Sequence, residues 1–419
     1  MNEFFDALET RSASMREQAL ASALPAQVAA AQRTPAMAQA LAGVDAASVN
    51  SLSALASLPV TRKHELLERQ QAQRGSDAFG GYSAIGWASV RGLKGARRVY
   101  QSPGPIYEPE ASRPDYWRVA RALFAAGFRA GQLVHNSFSY HLTPGAWMME
   151  SGAAALGCTV FPGGVGNTEL QLQAMQDLRP DGYCGTPSFL RILLEKAAES
   201  GTALPSLKRA LLSGEAFPPS LRDWLCDRGI EGYQTYATAD VGVIAFETTA
   251  REGLVVDEGV VVEIVRPGAS DVLPEGEVGE VVVTVLHPEY PLLRFGTGDL
   301  SAVLAGTCPT GRSNQRIKGW MGRADQTAKV RGMFVHPSQV AQVLKRHPQL
   351  LRARLVVDGE MANDRMTLRA EAAGTTEGLA QAVATSVREL TKLRCDVMLE
   401  IPGSLPNDGK VIEDARRYD

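Results

Sequence analysis

This chain has little of several features that would narrow its class at once. Its 419 residues include only five cysteines, widely spread and without a C-x-x-C pair, which disfavours a disulfide framework or a zinc cluster. A formal net charge of −3 gives no overall field that would attract nucleic acid or an anionic membrane. No uninterrupted apolar run approaches the length of a membrane span. We therefore expect buried free thiols in a reducing compartment.

The amino-terminal segment also lacks a feature, namely the basic and apolar regions of a signal peptide. An acidic residue, Glu3, stands near its start, so we expect no signal peptide and a cytoplasmic location. With 45% hydrophobic and 21% charged residues, the composition is that of a globular protein long enough for two or three domains. The sequence leaves the oligomeric state open, with a homodimer among the alternatives.

The spacing of apolar residues divides the chain into regions. The first sixty or so residues are rich in alanine, with apolar spacings of three and four that predict a helical cap. Residues 74–113 are rich in glycine and proline, which predicts turns and loops. From about 114 to 245, short apolar strands alternate with helices, the pattern of a mostly parallel sheet covered on both faces. Such sheets bind ligands at the carboxyl ends of their strands.

Beyond residue 253 the pattern of residue types changes. β-Branched segments separated by turns predict a β-rich subdomain, and residues 352–419 predict a small α+β domain. The predicted fold class is therefore α/β. It comprises a large N-terminal domain over 1–324, with the helical cap, parallel sheet and β-rich subdomain, and a small α+β domain over 325–419.

Three polar segments are candidate binding turns. Residues 213–217, Ser-Gly-Glu-Ala-Phe, contain a glycine that would let a flat ring approach the backbone, although an ordinary strand–helix turn is the alternative. Residues 235–240, Thr-Tyr-Ala-Thr-Ala-Asp, offer hydroxyls and a carboxylate for phosphate and a hard cation, with a polar surface loop as the alternative. Asp299, in a Thr-Gly-Asp turn, can accept both hydroxyls of a ribose or bond its own backbone.

Further motifs follow in order. Residues 322–325 read Gly-Arg-Ala-Asp, residues 329–340 read Lys-Val-Arg-Gly-Met-Phe-Val-His-Pro-Ser-Gln-Val, and Gly409-Lys410 lies near the end. With the three upstream turns, this set resembles the adenylate-forming enzymes, in particular the phenylacetate–coenzyme A ligases, which activate an acid with ATP and pass it to a thiol. Residues 163–169 and 184–188 also resemble this branch. The resemblance covers roughly residues 57–419.

The resemblance implies a fold with a mobile C-terminal domain and roles for individual residues. Residues 236–240 stand where the family has Tyr-Gly-x-Thr-Glu, with Ala237 for glycine and the shorter Asp240 for glutamate. The implied nucleotide contacts are Ser213, Gly214, Glu215, Ala216, Thr235 and Tyr236 around adenine, Thr238 on the α-phosphate, Asp240 on Mg²⁺, Asp299 on ribose, and Arg323 on ribose or phosphate.

The remaining implied roles concern catalysis, the swing of the small domain and the acyl group. Lys410 is the implied adenylation lysine, a point charge on a flexible stem. Asp325 matches the hinge about which the small domain turns. The implied acyl-pocket residues are Tyr140, His141, Gly185 and Thr186, and the implied coenzyme A-facing residues are Arg331 and Gly332.

The phosphate loop departs from the family pattern, which is a Ser/Thr/Gly-rich loop followed by lysine. Residues 100–109 contain one serine, one glycine, an acid and three prolines, which lack the N–H donors that hold phosphate. The basic segment 89–98 is the alternative candidate. Either the loop is rebuilt or the use of ATP is impaired.

The predicted function is ATP-dependent activation of a small carboxylic acid, with an aromatic one favoured, to an acyl-adenylate and transfer to coenzyme A. The implied cofactors are ATP, Mg²⁺ and coenzyme A. Two alternatives stay open at this point: transfer to a carrier-protein thiol, and a nucleotide- or acyl-adenylate-binding protein that has lost catalysis.

Overall fold

A computed structural model describes residues 3–85, 95–324, 328–335, 337–359, 363–372, 374, 378–406 and 411–416. The chain forms two compact units, residues 1–321 and 322–419, each described here by itself. The predicted boundary at 324/325 stays a prediction. In the part of the chain that the structure describes, no helix combines the length and apolar character needed to cross a bilayer.

The first unit begins with the predicted helical cap. Its helices are Ala13–Gln32, Pro35–Ala40, Leu52–Ala56 and Lys63–Gln73, with short 3₁₀ helices at Ala7–Thr10 and Ala46–Ser48. Ser12 and Ser51 accept N–H groups of the first turns of the helices that follow them, which fixes where these helices begin. Cap residues such as Leu24, Val28 and Leu55 are buried in one cluster with residues of the β-rich region.

A nine-stranded sheet, here called the central sheet, forms the middle of the first unit. From one edge to the other its strands are Val303–Leu304, Arg316–Ile317, Leu254–Val256, Gly242–Glu247, Glu231–Thr238, Arg209–Leu212, Gly182–Gly185, Leu133–Asn136 and Thr159–Pro162. The last five are parallel to one another, which confirms the predicted parallel sheet. The other four pair antiparallel.

Five helices accompany the strands of the central sheet, namely Val119–Ala125, Gly145–Leu156, Thr168–Leu178, Pro187–Glu199 and Pro219–Cys226. Helix Pro187–Glu199 begins where Thr186 Oγ1 accepts the N–H of Phe189 at 3.3 Å, with proline in its first position. Gly157 ends helix Gly145–Leu156 with a φ of +83°, in the left-handed region that favours glycine. Asn167, which precedes helix Thr168–Leu178, lies in the left-handed region and makes no side-chain cap hydrogen bond.

A second, four-stranded sheet contains Thr61–Arg62, Phe295–Ser301, Gly279–Val285 and Val260–Val265 in spatial order. This confirms the predicted β-rich subdomain. Residues 96–111 differ from the loop expected there, since Ala96–Ser102 and Ile106–Ala111 pair as an antiparallel hairpin. Its turn, residues 103–105, holds the glycine and prolines that dominate the local sequence.

The second unit is a small α+β layer. Its four-stranded sheet has the order Asp396–Glu400, Arg365–Ala372, Leu350–Asp358 and Ile412–Asp414, accompanied by helices Pro337–Arg346 and Leu379–Thr391 and a hairpin of Ala328–Val330 with Met333–Val335. Val343, Val383 and Leu368 are buried together. The unit therefore has its own apolar core.

Candidate active site

Most of the predicted acyl and nucleotide residues of the first unit lie at one edge of the central sheet. Register between neighbouring parallel strands pairs Asn136 with Cys184, Gly185 with Leu212, and Leu212 with Gln234. The carboxyl ends of these strands therefore lie side by side. Because this is the edge at which parallel sheets bind ligands, the geometry makes it the candidate site.

The turn that begins at Ser213 is fixed by backbone bonds on both sides. Ser213 is buried, its N–H donates to the Gly185 carbonyl at 3.2 Å, and its hydroxyl donates to the Thr235 carbonyl at 2.7 Å. Gly214 follows with a φ of +81°, which a side chain would strain. Glu215 and Ala216 stand after it, with Glu215 exposed. The turn therefore presents backbone, as approach of a flat ring requires.

A buried hydrogen-bonded cluster contains the predicted ribose ligand. Asp299 Oδ2 accepts the hydroxyl of Tyr236 at 2.8 Å, and Tyr236 also bonds the hydroxyl of Thr297 at 3.2 Å. Asp299 Oδ1 accepts the indole N–H of Trp320 at 3.1 Å. The hydroxyl of Tyr236 and the indole N–H of Trp320 thus hold the Asp299 carboxylate. Asp299 belongs to the four-stranded sheet of the first unit, whereas Tyr236 belongs to the central sheet.

Thr235 and Thr238 lie on the same strand as Tyr236. Thr235 is buried, and its hydroxyl donates to the Ala245 carbonyl of the neighbouring strand at 3.1 Å. The Thr238 hydroxyl accepts the Val241 N–H at 3.4 Å. The family pattern Tyr-Gly-x-Thr-Glu has its threonine in the fourth position. Residues 236–240 of this chain have Ala239 in that position, and the only threonine among them, Thr238, is in the third. The phosphate role of Thr238 stays a prediction.

Asp240, the predicted magnesium ligand, is 3% exposed and forms an ion pair that sequence reasoning missed. Its Oδ2 lies 2.7 Å from Lys63 Nζ. Its Oδ1 is buried without a hydrogen-bond partner. Lys63 is the first residue of helix Lys63–Gln73, directly after the strand Thr61–Arg62 that pairs with Phe295–Gly296.

A second buried carboxyl group, Glu108, stands beside this pair. Glu108 is fully buried, its Oε1 accepts the Ser102 hydroxyl at 2.5 Å, and its Oε2 has no partner. Burial, and then the charge of Asp240, raise the pKa of Glu108 well above its usual range. Burial and the charges of Glu108 and Asp240 also raise the pKa of the Tyr290 hydroxyl. The surroundings of Glu108 therefore favour its neutral, protonated form.

The residues present do not fit a magnesium ion on Asp240. Mg²⁺ binds carboxylate oxygens directly and retains several waters. One oxygen of Asp240 is held by Lys63 and the other is closed to solvent. Among the described residues, no group of three or more His, Cys, Asp and Glu side chains is placed to hold a metal.

The predicted phosphate-loop segment is built into the same cluster. Ser102, the only hydroxyl residue between Gln101 and Tyr107, is 2% exposed, and its hydroxyl donates to Glu108. The turn at 101–105 forms one wall of a groove of about 430 Å³, and residues 141–143 form the other. The Ser102 hydroxyl is thus turned inward, away from any phosphate in solution. The alternative basic segment 89–98 lies mostly outside the described residues, which resume at 95.

Of the predicted acyl-pocket residues, Tyr140 and His141 precede helix Gly145–Leu156. Tyr140 is half-buried, its hydroxyl accepts the Asn136 amide at 3.0 Å, and its ring packs edge-on against Trp147 at 5.0 Å. His141 is exposed and lines the groove beside residues 101–105. Tyr140 is therefore fixed to the sheet edge, whereas His141 faces solvent.

Gly185 and Thr186 end the next strand of the same edge. A Cβ on Gly185 would stand 2.2 Å from the Tyr183 hydroxyl, so the position requires glycine. Thr186 caps the helix that follows, and its hydroxyl also lies 3.3 Å from that of Ser188. Ser188 in turn donates to Glu215 at 2.5 Å, which ties the acyl side of the edge to the nucleotide turn.

Several predicted residues belong to the second unit or lie outside the described residues. Lys410 and Asp325 lie outside them. Arg323 is half-buried in the second unit. Arg331 is exposed, with a φ of +48°, and its N–H donates to Asp364 at 3.0 Å; Gly332 follows it in the same turn. The roles predicted for these residues stay predictions.

Lys63 and Trp320 are site residues that the sequence did not indicate, whereas Glu108 is the acid already noted in the phosphate-loop segment. Lys63 and Asp240 are 177 positions apart, so no local pattern joins them. Two features of the sequence could have indicated this cluster. Lys63 stands at the start of a helix, and residues 100–109 contain the acid Glu108 and no lysine.

The sequence profile of the family described as AMP-binding enzyme matches residues 119–285. A phenylacetate-coenzyme A ligase of Thermus thermophilus is 32% identical over 79% of this chain and 75% of that protein. The phenylacetate-coenzyme A ligase of Escherichia coli is 29% identical over 88% of this chain and 86% of its own.

Among solved structures, a 2-hydroxyisobutyryl-CoA ligase in complex with 2-HIB-AMP and CoA superposes with a TM-score of 0.82. It shares 24% identity, and the match covers 100% of this chain and 93% of that one. At this identity the likeness shows the fold. The chain therefore has the adenylate-forming fold that its sequence predicts.

Proposed function

The chain belongs to the family of AMP-binding enzymes, alongside the phenylacetate-coenzyme A ligases, and from that premise we propose that it is an acid–thiol ligase. It activates a small carboxylic acid with ATP to an acyl-adenylate and passes the acyl group to coenzyme A. The relatives, at 29–36% identity, are phenylacetate-coenzyme A ligases, which supports an aromatic acid as the substrate.

One observation carries this proposal. The predicted ribose ligand Asp299 is held by Tyr236 and Trp320 next to the Ser213 turn. The predicted acyl residue Gly185 ends one strand, and the neighbouring strand ends at Asn136, which donates to the hydroxyl of the predicted acyl residue Tyr140. A nucleoside and an acyl group bound there would meet at one sheet edge. That arrangement brings the acid and the α-phosphate together, which is what adenylation requires.

The proposed reaction has two halves. In the first, the acid carboxylate attacks the α-phosphorus of ATP and pyrophosphate leaves, with Lys410 stabilising the charge that develops. In the second, the small domain turns about Asp325, the coenzyme A thiol loses its proton and attacks the acyl carbon, and AMP leaves. Arg331 and Gly332 face the coenzyme A in this second arrangement.

The test is a panel of small acids incubated with ATP and coenzyme A, with mass spectrometry of the products. We expect acyl-CoA and AMP with at least one aromatic acid. Acid-dependent release of pyrophosphate without acyl-CoA would favour a carrier-protein thiol as the acceptor. Release of neither product with any acid would contradict the ligase assignment.

A specific observation favours the non-catalytic alternative as a second candidate. Ser102 of the phosphate-loop segment is bonded to Glu108, and residues 103 and 105 are prolines without N–H donors. A protein that binds AMP or an acyl-adenylate without turnover needs no contact to the β- and γ-phosphates. Calorimetry separates the two candidates, because a binder would prefer AMP to ATP and release no pyrophosphate.

Three finer points remain part of the proposal. Mg²⁺ accompanies ATP as its counter-ion and is not assigned to Asp240. The cytoplasmic location and the homodimer stay predictions from the sequence.

A further inference from the structure

We propose that Lys63, rather than a divalent cation, supplies the positive charge at Asp240, and that its ammonium contacts the nucleotide phosphate nearest the ribose. This inference rests on the proposed function, since it assumes that a nucleotide occupies the site. It assigns a phosphate-binding residue that no sequence motif indicated, and it removes the metal from the position where the sequence predicted one.

The geometry of Asp240 is the first observation. Lys63 Nζ lies 2.7 Å from Oδ2, a charge-assisted hydrogen-bond distance, while Oδ1 is buried without a partner. The Lys63 side chain is 33% exposed, against 1% for that of Asp240. The ammonium therefore stands between the buried carboxylate and solvent, on the side from which a phosphate would arrive.

The placement of Lys63 by backbone structure is the second observation. Thr61–Arg62 pairs in parallel with Phe295–Gly296, the start of the strand that carries Asp299. The N–H of Arg62 donates to Glu65 at 2.8 Å, which stabilises the first turn of the helix that Lys63 begins. Lys63 is thus positioned by the same sheet as the predicted ribose ligand.

The hairpin that stands at the phosphate-loop position is the third observation. Gln70, seven residues after Lys63 in the same helix and fully buried, bonds both the N–H and the carbonyl of Tyr107 at 2.8 Å. The hairpin itself presents a buried acid, Glu108, and no lysine toward this region. The helix that begins at Lys63 therefore brings a lysine to a hairpin that has none of its own, and Arg98 of that hairpin is paired with Glu110.

A lysine can do the electrostatic work of the metal at this point. Its ammonium is a compact point charge on a flexible stem and binds phosphate in many proteins. A carboxylate behind it holds the charge in place. Loss of such a charge-assisted contact weakens binding about 10- to 100-fold.

Titration with AMP tests the proposal, because AMP lacks the β- and γ-phosphates that would bind Mg²⁺ by themselves. We expect wild-type protein to bind AMP equally well in EDTA and in Mg²⁺. We expect Lys63→Met to weaken binding about 10- to 100-fold. The control Lys196→Met, at a lysine whose side chain is 43% exposed, should leave binding unchanged. Wild-type affinity that falls more than about tenfold in EDTA, or Lys63→Met with wild-type affinity, would overturn the proposal.

Electron paramagnetic resonance of Mn²⁺ with the protein alone gives an independent readout. We expect wild-type protein to leave the Mn²⁺ signal unchanged and Lys63→Met to bind Mn²⁺, because Asp240 is then open. The double variant Lys63→Met/Asp240→Asn should lose that binding of Mn²⁺. It also has no unpaired buried carboxylate at position 240, so it can be studied if Lys63→Met alone does not fold. Binding of Mn²⁺ by wild-type protein would contradict the proposal, whereas failure of AMP to bind wild-type protein would contradict the proposed function.

Discussion

At the scale of the residue, the site is defined by which carboxylates are already paired. Asp299 is held by two donors from Tyr236 and Trp320, so its oxygens are positioned before any ligand arrives. Asp240 is held by Lys63. The sequence predicted both aspartates. It predicted neither Lys63, the partner of Asp240, nor Trp320, a partner of Asp299, because these contacts depend on how distant segments fold together.

We predict that Asp299→Asn weakens AMP binding about 10- to 100-fold, since a charged acceptor is replaced by an amide that also brings N–H donors toward Tyr236 and Trp320. Calorimetric titration measures the change, and circular dichroism checks the fold. Asp177→Asn, on an exposed helix position, is the matched control. Equal affinity of wild-type and Asp299→Asn protein would remove Asp299 from the nucleotide site.

Glu108 gives a pH-dependent prediction. Its pKa is raised in the folded protein by burial first and by Asp240 second, so the unfolded chain releases the proton at lower pH than the folded one. Stability is then lost as pH rises above the ordinary glutamate value, by up to about 1.4 kcal/mol per pH unit. Glu108→Gln cannot ionise, so it should gain stability relative to wild-type protein as pH rises.

Thermal unfolding between about pH 5 and about pH 8 measures this difference. The exposed Glu275→Gln is the control, and its difference from wild-type protein should not change with pH. A Glu108→Gln difference that is constant, or that shrinks as pH rises, would show that Glu108 is ionised in the folded protein.

At the scale of the element, four of the five parallel strands followed from the sequence, because each is a short apolar run next to helices that end at glycine or begin at a cap. The hairpin Ala96–Ser102 with Ile106–Ala111 did not, because glycine and proline in its turn dominate the local signal. The fifth parallel strand, Glu231–Thr238, did not follow either, since a polar surface loop was the alternative for residues 235–240 and the partners of their polar groups, such as the Ala245 carbonyl, lie on another strand. Local pattern cannot show such long-range partners.

Gln70 joins two of these elements and gives the second stability prediction. It is fully buried, and its amide pairs with both backbone polar groups of Tyr107. Gln70→Ala leaves those two groups unpaired, which should cost about 2–4 kcal/mol of unfolding free energy. Urea unfolding measures this, with the exposed neighbour Gln71→Ala as control at under about 0.5 kcal/mol. Equal effects of the two variants would mean that Gln70 does not hold the hairpin.

At the scale of the whole molecule, two units with separate cores support a reaction in two halves. The change in sequence pattern predicted a division between two domains near residue 325. The two compact units of the structure divide at 321/322. Motif order alone could assign Lys410 and Asp325, which lie outside the described residues.

We predict that Lys410→Ala lowers the rate of adenylation about 10²- to 10³-fold, since one preorganised cation is lost from the transition state. Thioester formation from a supplied acyl-adenylate should be largely kept. Separate assays of pyrophosphate release and of thioester formation measure the two halves. If both fall equally, Lys410 has no specific part in the first half.

The central claim is that this sheet edge joins an acid to the α-phosphate of ATP. Acid-dependent exchange of labelled pyrophosphate into ATP tests it most directly, because exchange reports the reversible first half alone and needs no thiol. We predict exchange that requires an acid, proceeds without coenzyme A and falls about 10-fold or more in Asp299→Asn. Protein that binds AMP yet shows no exchange with any acid of the panel would contradict the claim.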